Sequence, residues 1–416
     1  MIRQAPAVTA ALEAFEGLYP EQIELSLGRI VEALEHLGRP QDRLPPVIHV
    51  AGTNGKGSTC AYLRAMAEAS GLKVHVFTSP HLVRFNERIR LAGSLVEDTQ
   101  LVGWLQRTRE AIANQPITQF EATTAAALLA FSETPADLLI LEVGLGGRFD
   151  ATNIIAQPAM SVITPVDYDH KQFLGTELKQ IAAEKAGIIK SGCPVVSAPQ
   201  AKVVVEVLEE TAGRFRAPLK FMTVDDLETV PEIVALPGAH QRYNAGLASL
   251  ALRTLQHSAI SDQAIWRGAQ KASWPARMQQ LGPGPLTERM GTASVWLDGG
   301  HNPHAARAIC GVLRQMGGGT ALVTAMMASK DHAAFFRAFE GPVDAVYTVP
   351  NAPGHAGACP EDLARTAAQY LPNVHAHRSL EDGLQAAVAS GTPRILICGS
   401  LYLAGEVLAL NNQAPV

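Results

Sequence analysis

The sequence predicts an α/β protein of two domains, each built on a mostly parallel sheet. Three observations carry that expectation. From residue 46 onward, short apolar runs alternate with longer amphipathic ones, which is the rhythm of βαβ units. A glycine-rich turn joins the first apolar run to the helix after it, as in folds that bind ligands at strand ends. The chain is 416 residues long, and at roughly 100–200 residues per domain that length calls for two or three units.

The elements follow in order. Pro46-Val47-Ile48-His49-Val50 reads as a buried strand, followed by a helix over 56–70. Val74-His75-Val76-Phe77 gives a second strand, and the apolar run from Asp137 to Val143 a third. Met160-Ser161-Val162-Ile163 and Val195-Val196 continue the series, with helices over 120–133, 176–190 and 200–213. A helix over 22–37 precedes this scheme and packs outside it. Two Gly-Pro pairs in Gly282-Pro283-Gly284-Pro285 cannot sit inside a helix or central strand, so they mark a linker. Alternation then restarts with strands at 294–297, 321–324, 345–348 and 395–398, and helices over 303–315, 360–370 and 380–389. The expected division is residues 1–282 and 283–416.

Composition narrows the function. Charged residues make up 18% and hydrophobic ones 47%, enough apolar material for packed cores. Thirty-four Lys+Arg against 39 Asp+Glu leaves a net charge of −5 and no basic stripe, which argues against nucleic acid or a membrane surface as partner. Cys60, Cys193, Cys310, Cys359 and Cys398 are scattered and never form CxxC, so neither a disulfide framework nor a cysteine zinc site is expected. Residues 1–6 carry no apolar signal region, and no apolar run approaches the ~18–20 residues that cross a bilayer. These features lead to the expectation of a cytoplasmic, soluble protein.

The chemistry starts at Gly52-Thr53-Asn54-Gly55-Lys56-Gly57-Ser58-Thr59, between the first strand and its helix. Glycines let backbone N–H groups converge on a phosphate, and the helix N-terminus adds positive potential. Lys56 would reach the terminal phosphates, and a hydroxyl at Ser58 or Thr59 could face Mg²⁺. The spacing is not that of a standard Walker A turn: the first glycine lies three positions before Gly55, and Gly57 intervenes before the hydroxyl.

Gly-Thr-Asn-Gly-Lys resembles the phosphate loop of the Mur ligase superfamily, and the extra Gly57 resembles its folate branch, the dihydrofolate and folylpolyglutamate synthases. Further segments carry the same likeness: Ser79-Pro80-His81-Leu82; Glu142 with Gly144-Leu145-Gly146-Gly147-Arg148-Phe149-Asp150-Ala151-Thr152-Asn153; Asp169-His170 with Leu174-Gly175; and Glu184-Lys185-Ala186-Gly187-Ile188. The resemblance implies a P-loop Mur-ligase-like N-terminal domain and a smaller Rossmann-like C-terminal domain. It implies ATP held by Thr53, Asn54, Gly55, Lys56, Gly57, Ser58, Asn244, Arg277 and Asp298. It also implies two Mg²⁺ sites, and admits K⁺, with Ser79, Glu142, His170 and a carbamylated Lys185 as metal-side groups. Lys56, His170 and Lys185 become the catalytic candidates.

Thr118-Gln119-Phe120-Glu121 resembles the family's pterin-contacting segment, with Phe149, Asp150 and Ala151 continuing the wall and Ile23, Glu24 and Leu25 as a weaker match. Its residues alone also read as a helix cap with Phe120 in the core. Gly238 to Ala245 and Trp274-Pro275-Ala276-Arg277 match further motifs, the latter with Ala276 where glycine is usual. Asp298-Gly299-Gly300-His301-Asn302-Pro303 matches another, with His301 as a substrate contact.

The implied activity is ATP-dependent ligation of L-glutamate to dihydropteroate and to folates through an acyl phosphate, by a monomer. Alternatives at this level are folylpolyglutamate synthesis only, another Mur-type acid–amino-acid ligase, or a nucleotide-dependent switch. A nicotinamide dehydrogenase is disfavoured, because no GxGxxG follows a strand and opens a helix.

Overall fold

Runs of aliphatic residues buried on both faces set the first sheet. The structure, a computed structural model, describes residues 3–19 and 26–415. Strands β1 (Val47–Ala51), β2 (Val74–Phe77), β3 (Ile89–Leu91), β4 (Ser94–Leu95), β5 (Leu138–Glu142), β6 (Met160–Ile163), β7 (Val195–Ser197) and β8 (Leu219–Phe221) form it. Their order is β4-β3-β2-β5-β1-β6-β7-β8. β2, β5, β1, β6, β7 and β8 run parallel, while β3 and β4 are antiparallel additions at one edge. Every residue of β1, β5 and β6 is buried, as expected of central parallel strands covered by helices on both faces. Chain order reverses around β1, so the crevice at its carboxyl end is where an open α/β sheet binds its ligand.

The second sheet contains β9 (Gln279–Gln280), β10 (Ser294–Leu297), β11 (Ala321–Thr324), β12 (Ala345–Thr348), β13 (Val374–Ala376) and β14 (Arg394–Cys398). Its order is β13-β12-β11-β14-β10-β9, parallel except for β9. Because Gln279–Gln280 already pair with β10, the chain changes sheets shortly before the Gly-Pro stretch rather than within it. Buried Asn411 ties that stretch down: its Oδ1 accepts from the backbone of Leu286 and Thr287, and its Nδ2 donates to Gly282 O.

The helix expected over 22–37 is observed as Gly28–His36, with residues 20–25 outside the described set. The helices Asp98–Ile112, Ala239–Leu255 and Asp262–Ala269 and the β3–β4 edge were not among the sequence expectations. Among the described residues no helix is long and apolar enough to cross a membrane.

The crossing between the sheets is strained at Ala276, whose φ is 53°. A left-handed backbone costs an L-residue with a Cβ roughly 1–2 kcal/mol, which explains why glycine suits this position. Ala276→Gly should therefore stabilise the protein by about 0.5–1 kcal/mol after the larger unfolded-state entropy of glycine is subtracted. Chemical denaturation measures this, and a destabilised variant would contradict the strain.

Candidate functional site

The phosphate turn is built by close backbone approach. Gly55 has φ 84°, and a Cβ on it would lie 2.7 Å from Asn244 Oδ1. A Cβ on Gly57, in the first turn of the Lys56–Ala69 helix, would lie 2.7 Å from the Trp274 ring. The turn is pinned from below, where the N–H groups of Thr53 and Asn54 donate to Pro165 O at 3.0 and 3.2 Å. Two ammonium groups converge on its first carbonyl: Lys56 Nζ donates to Gly52 O at 3.2 Å, and Lys185 Nζ donates to the same oxygen at 2.9 Å.

Residues from the ends of several strands meet at this turn. A cavity of about 520 Å³ is lined by 52–58, Ser79, Glu142, His170, Lys185, Asn244, Arg277, Asp298 and His301, among others. All the nucleotide and metal-side candidates, and His301, thus face one space. Ser79 follows β2 and begins a cis Ser79–Pro80 bond, and its N–H donates to Glu142 Oε2 at 3.1 Å. Glu142 closes β5 and is buried. Burial pushes its carboxyl up from 4.5 to about 7 against the pull of Lys56. Burial, aided by the Lys56 charge, pushes the Lys185 amine down from 10.5 to about 7. Desolvation against the cleft wall lowers His170 to about 4 even though the residue is exposed, which favours a neutral imidazole able to ligate a metal.

The fit to a magnesium nucleotide follows from the donor set. Among the described residues no group of three or more His, Cys, Asp or Glu could hold a metal by itself. Ser79, Glu142 and His170 provide a hydroxyl, a carboxylate and an imidazole, leaving several positions of an octahedron for water and phosphate oxygens. That suits Mg²⁺, which keeps waters and takes substrate phosphates. The buried Asn54 Nδ2 has no partner within the protein, consistent with a ligand acceptor at the turn.

The second domain supplies the opposite wall. Buried Asp298, at the end of β10, accepts from the N–H groups of Met278 and Gly300 at 2.8 and 2.7 Å. Arg277 Nη1 donates to Ala276 O at 2.7 Å. His301 Nε2 lies 3.4 Å from Asp169 Oδ2. Burial would raise the Asp169 carboxyl, yet His301, His170 and Lys330 hold it well below the usual carboxylate range.

The Thr118–Glu121 segment lies elsewhere. Glu121 closes a capping box with Thr118 and pairs with Arg29 at 3.0 Å, so its carboxylate is already engaged. Phe120 packs on Gly144, which lines the 520 Å³ cavity, and so touches the site from behind. Asp150 accepts from the N–H groups of Leu145 and Thr152 and staples its own turn; Ala151 is buried and Phe149 is exposed. Ile23, Glu24 and Leu25 fall outside the described residues. A second cavity of about 560 Å³, which includes Arg64, Arg90, Trp274 and Trp296, shares Ser79, Pro80, Glu142, Arg277 and Leu401 with the first.

Sequence reading missed several groups. His240, Gln241, Tyr243 and His304 also line the nucleotide-side cavity; the first three lay within the Gly238–Ala245 motif, and His304 directly follows the Asp298–Pro303 one. Half-buried Arg88 donates to His81 Nδ1 at 2.9 Å, and desolvation lowers it to about 10. Only the fold brings it near Glu142 and Tyr402.

Known proteins resemble this chain in sequence and in fold. The Mur ligase middle-domain profile matches residues 50–198, and the Mur ligase glutamate ligase domain profile matches 277–401. A Bacillus subtilis protein named dihydrofolate synthase/folylpolyglutamate synthase is 36% identical over 342 residues, covering 74% of this chain and 76% of the relative. The structure of E. coli FolC in complex with DHPP and ADP superposes with a TM-score of 0.86 at 30% identity, covering 99% of each chain. A Yersinia pestis bifunctional folylpolyglutamate synthase/dihydrofolate synthase complexed with AMPPNP and Mn ion gives 0.85 at 30% identity, covering 98% of this chain and 99% of that one.

The two shifted groups make stability depend on pH with opposite signs. Glu142 binds its proton more tightly folded than unfolded, so between about pH 4.5 and 7 its contribution falls as pH rises. Lys185 binds its proton less tightly folded, so between about pH 7 and 10.5 its contribution grows with pH. Urea unfolding of the nucleotide-free, metal-free protein should show Glu142→Gln flattening the acid limb and Lys185→Met the alkaline one. Slopes identical to wild type would contradict the burial of these charges.

Proposed function

Because this chain belongs to the Mur ligase family and, within it, to the dihydrofolate synthase/folylpolyglutamate synthases, we propose that it joins L-glutamate to dihydropteroate and to folates using ATP. The observation that carries the reading is the single cavity between the sheets, which collects Lys56, Ser79, Glu142, His170, Lys185, Asn244, Arg277 and Asp298. A phosphate turn alone would suit many nucleotide proteins. The added buried carboxylate, imidazole and arginine suit transfer of a phosphoryl group to an acid.

ATP lies with its phosphates over the Gly52–Ser58 turn and its nucleoside between Asn244 and Asp298. Ser79, Glu142 and His170 are the groups of this chain that would hold Mg²⁺, which when bound neutralises phosphate charge. The acid presents its carboxylate at the wall the two cavities share, by Ser79, Glu142 and Arg277. By the family resemblance, the pterin of that acid would lie on the side of Phe120, Phe149 and Asp150.

A carboxylate oxygen attacks the γ-phosphorus in line, the bond to the β-phosphate oxygen breaks, and an acyl phosphate and ADP result. Lys56 and Arg277 offset the charge on the transferring group. The amine of glutamate then attacks the acyl carbon, and phosphate leaves. The second domain excludes water from the acyl phosphate, which would otherwise be hydrolysed.

Burial that leaves the Lys185 amine half neutral near pH 7 also makes it able to attack CO₂. The carbamate inferred from family resemblance would exchange a buried cation for an anion beside the phosphate turn. Intact mass under CO₂-saturated, gently handled conditions should show the addition, absent in Lys185→Arg.

Lys56→Ala should abolish glutamate-dependent phosphate release, lowering kcat by about 100-fold or more, since it removes a cation aimed at the transferring phosphoryl group. Its melting temperature should stay near that of wild type. Assays with dihydropteroate and with tetrahydrofolate separate the two acceptor activities. Near-wild-type turnover in the variant would contradict the assignment.

A further inference from the structure

Asp169 is the point where the second domain takes hold of the first. Lys330, in the loop between β11 and the His332–Ala338 helix, brings Nζ to 2.6 Å from Asp169 Oδ1, both side chains being almost fully buried at 11% and 10% exposure. Buried Asn302 caps the Pro303–Met316 helix through Oδ1 and donates from Nδ2 to Asp169 Oδ2 at 3.2 Å. The same Nδ2 donates to Asn54 Oδ1, in the phosphate turn, at 2.9 Å.

The carboxylate held in this way is itself a turn former. Asp169 Oδ1 accepts from the N–H of His170 at 2.8 Å, and His170 sits with φ 50° at the start of the Lys171–Leu174 helix. A left-handed conformation costs a residue with a Cβ free energy and persists only where its surroundings enforce it. The group that enforces it here is anchored from the other domain.

We propose that Lys330 and Asn302 are positioning residues. By closing onto Asp169 they fix the turn that presents His170 and, through Asn54, the phosphate turn, so the reactive site is assembled only in the closed enzyme. A loop more than 150 residues away in sequence thereby sets the geometry of a metal-side histidine without touching substrate. The proposal rests on the ligase reading for its kinetic test and is independent of it for its exchange test.

A double-mutant cycle of Lys330→Met and Asp169→Asn tests it, with Lys330→Arg as the conservative variant. Each single change should lower kcat by about tenfold or more with the KM for ATP within about twofold, and the double should be no worse than the worse single. In the free enzyme, hydrogen exchange of the amides over 170–175 should quicken in both variants while the strand amides keep wild-type protection. Lys330→Arg should recover both readouts. Multiplicative losses in the double variant, or unchanged exchange over 170–175, would overturn the latch. Wild-type enzyme without glutamate-dependent phosphate release would instead overturn the ligase reading, leaving the exchange result to decide the latch alone.

Discussion

Two lysines share one carbonyl. The Gly52 oxygen, at the mouth of β1, accepts from both Lys56 and Lys185, and the architecture around the site follows from what that convergence demands. Two amines at one dipole repel each other, and burial makes their charge more costly. Lys185 answers by giving up affinity for its proton. Lys56 keeps an opposite charge within reach in Glu142, which is itself pushed toward neutrality by burial. The site is therefore poised for a multiply charged anion, whose phosphates would satisfy groups that the protein leaves only partly satisfied.

A parallel sheet makes such a cluster possible. It delivers Gly52, Ser79, Glu142 and the segment after β6 to one edge, with strand bodies buried on both faces to hold them rigid. The second sheet repeats the device with Asp298 at the end of β10. Neither sheet alone lines the proposed site. The cleft between them gathers its residues, and the polar contacts from Asn302 and Lys330 to Asp169 join its two walls. Polar contacts can be made and released as substrates enter, whereas a broad apolar interface would hold the domains shut.

Sequence reading reached the strand series, the two-sheet division and the phosphate turn, because those features are written in neighbouring residues: aliphatic runs, glycines and a lysine after them. It nominated Ser79, Glu142, His170 and Lys185 only through resemblance, and the structure places all four around one cavity. Nothing local distinguishes Lys185 from a solvated helix lysine, since the carbonyl its amine reaches lies more than a hundred residues away. Ala276 shows the converse: the departure from the family pattern was visible, but its positive φ was not. Glu121 shows a further limit, because local pattern left both a cap and a pterin contact open, and the Arg29 partner comes from a distant helix. The Lys330–Asp169 contact had no local signature at all.

The chemistry proposed for the cleft requires that it activate an acid by transferring a phosphoryl group to it. Isotope transfer measures that directly. An acceptor carrying ¹⁸O in both carboxylate oxygens is turned over with ATP and L-glutamate, and the released phosphate is analysed by mass. An acyl phosphate requires one labelled oxygen to leave with each phosphate formed. Phosphate free of label, in an enzyme that still forms the amide, would contradict the account.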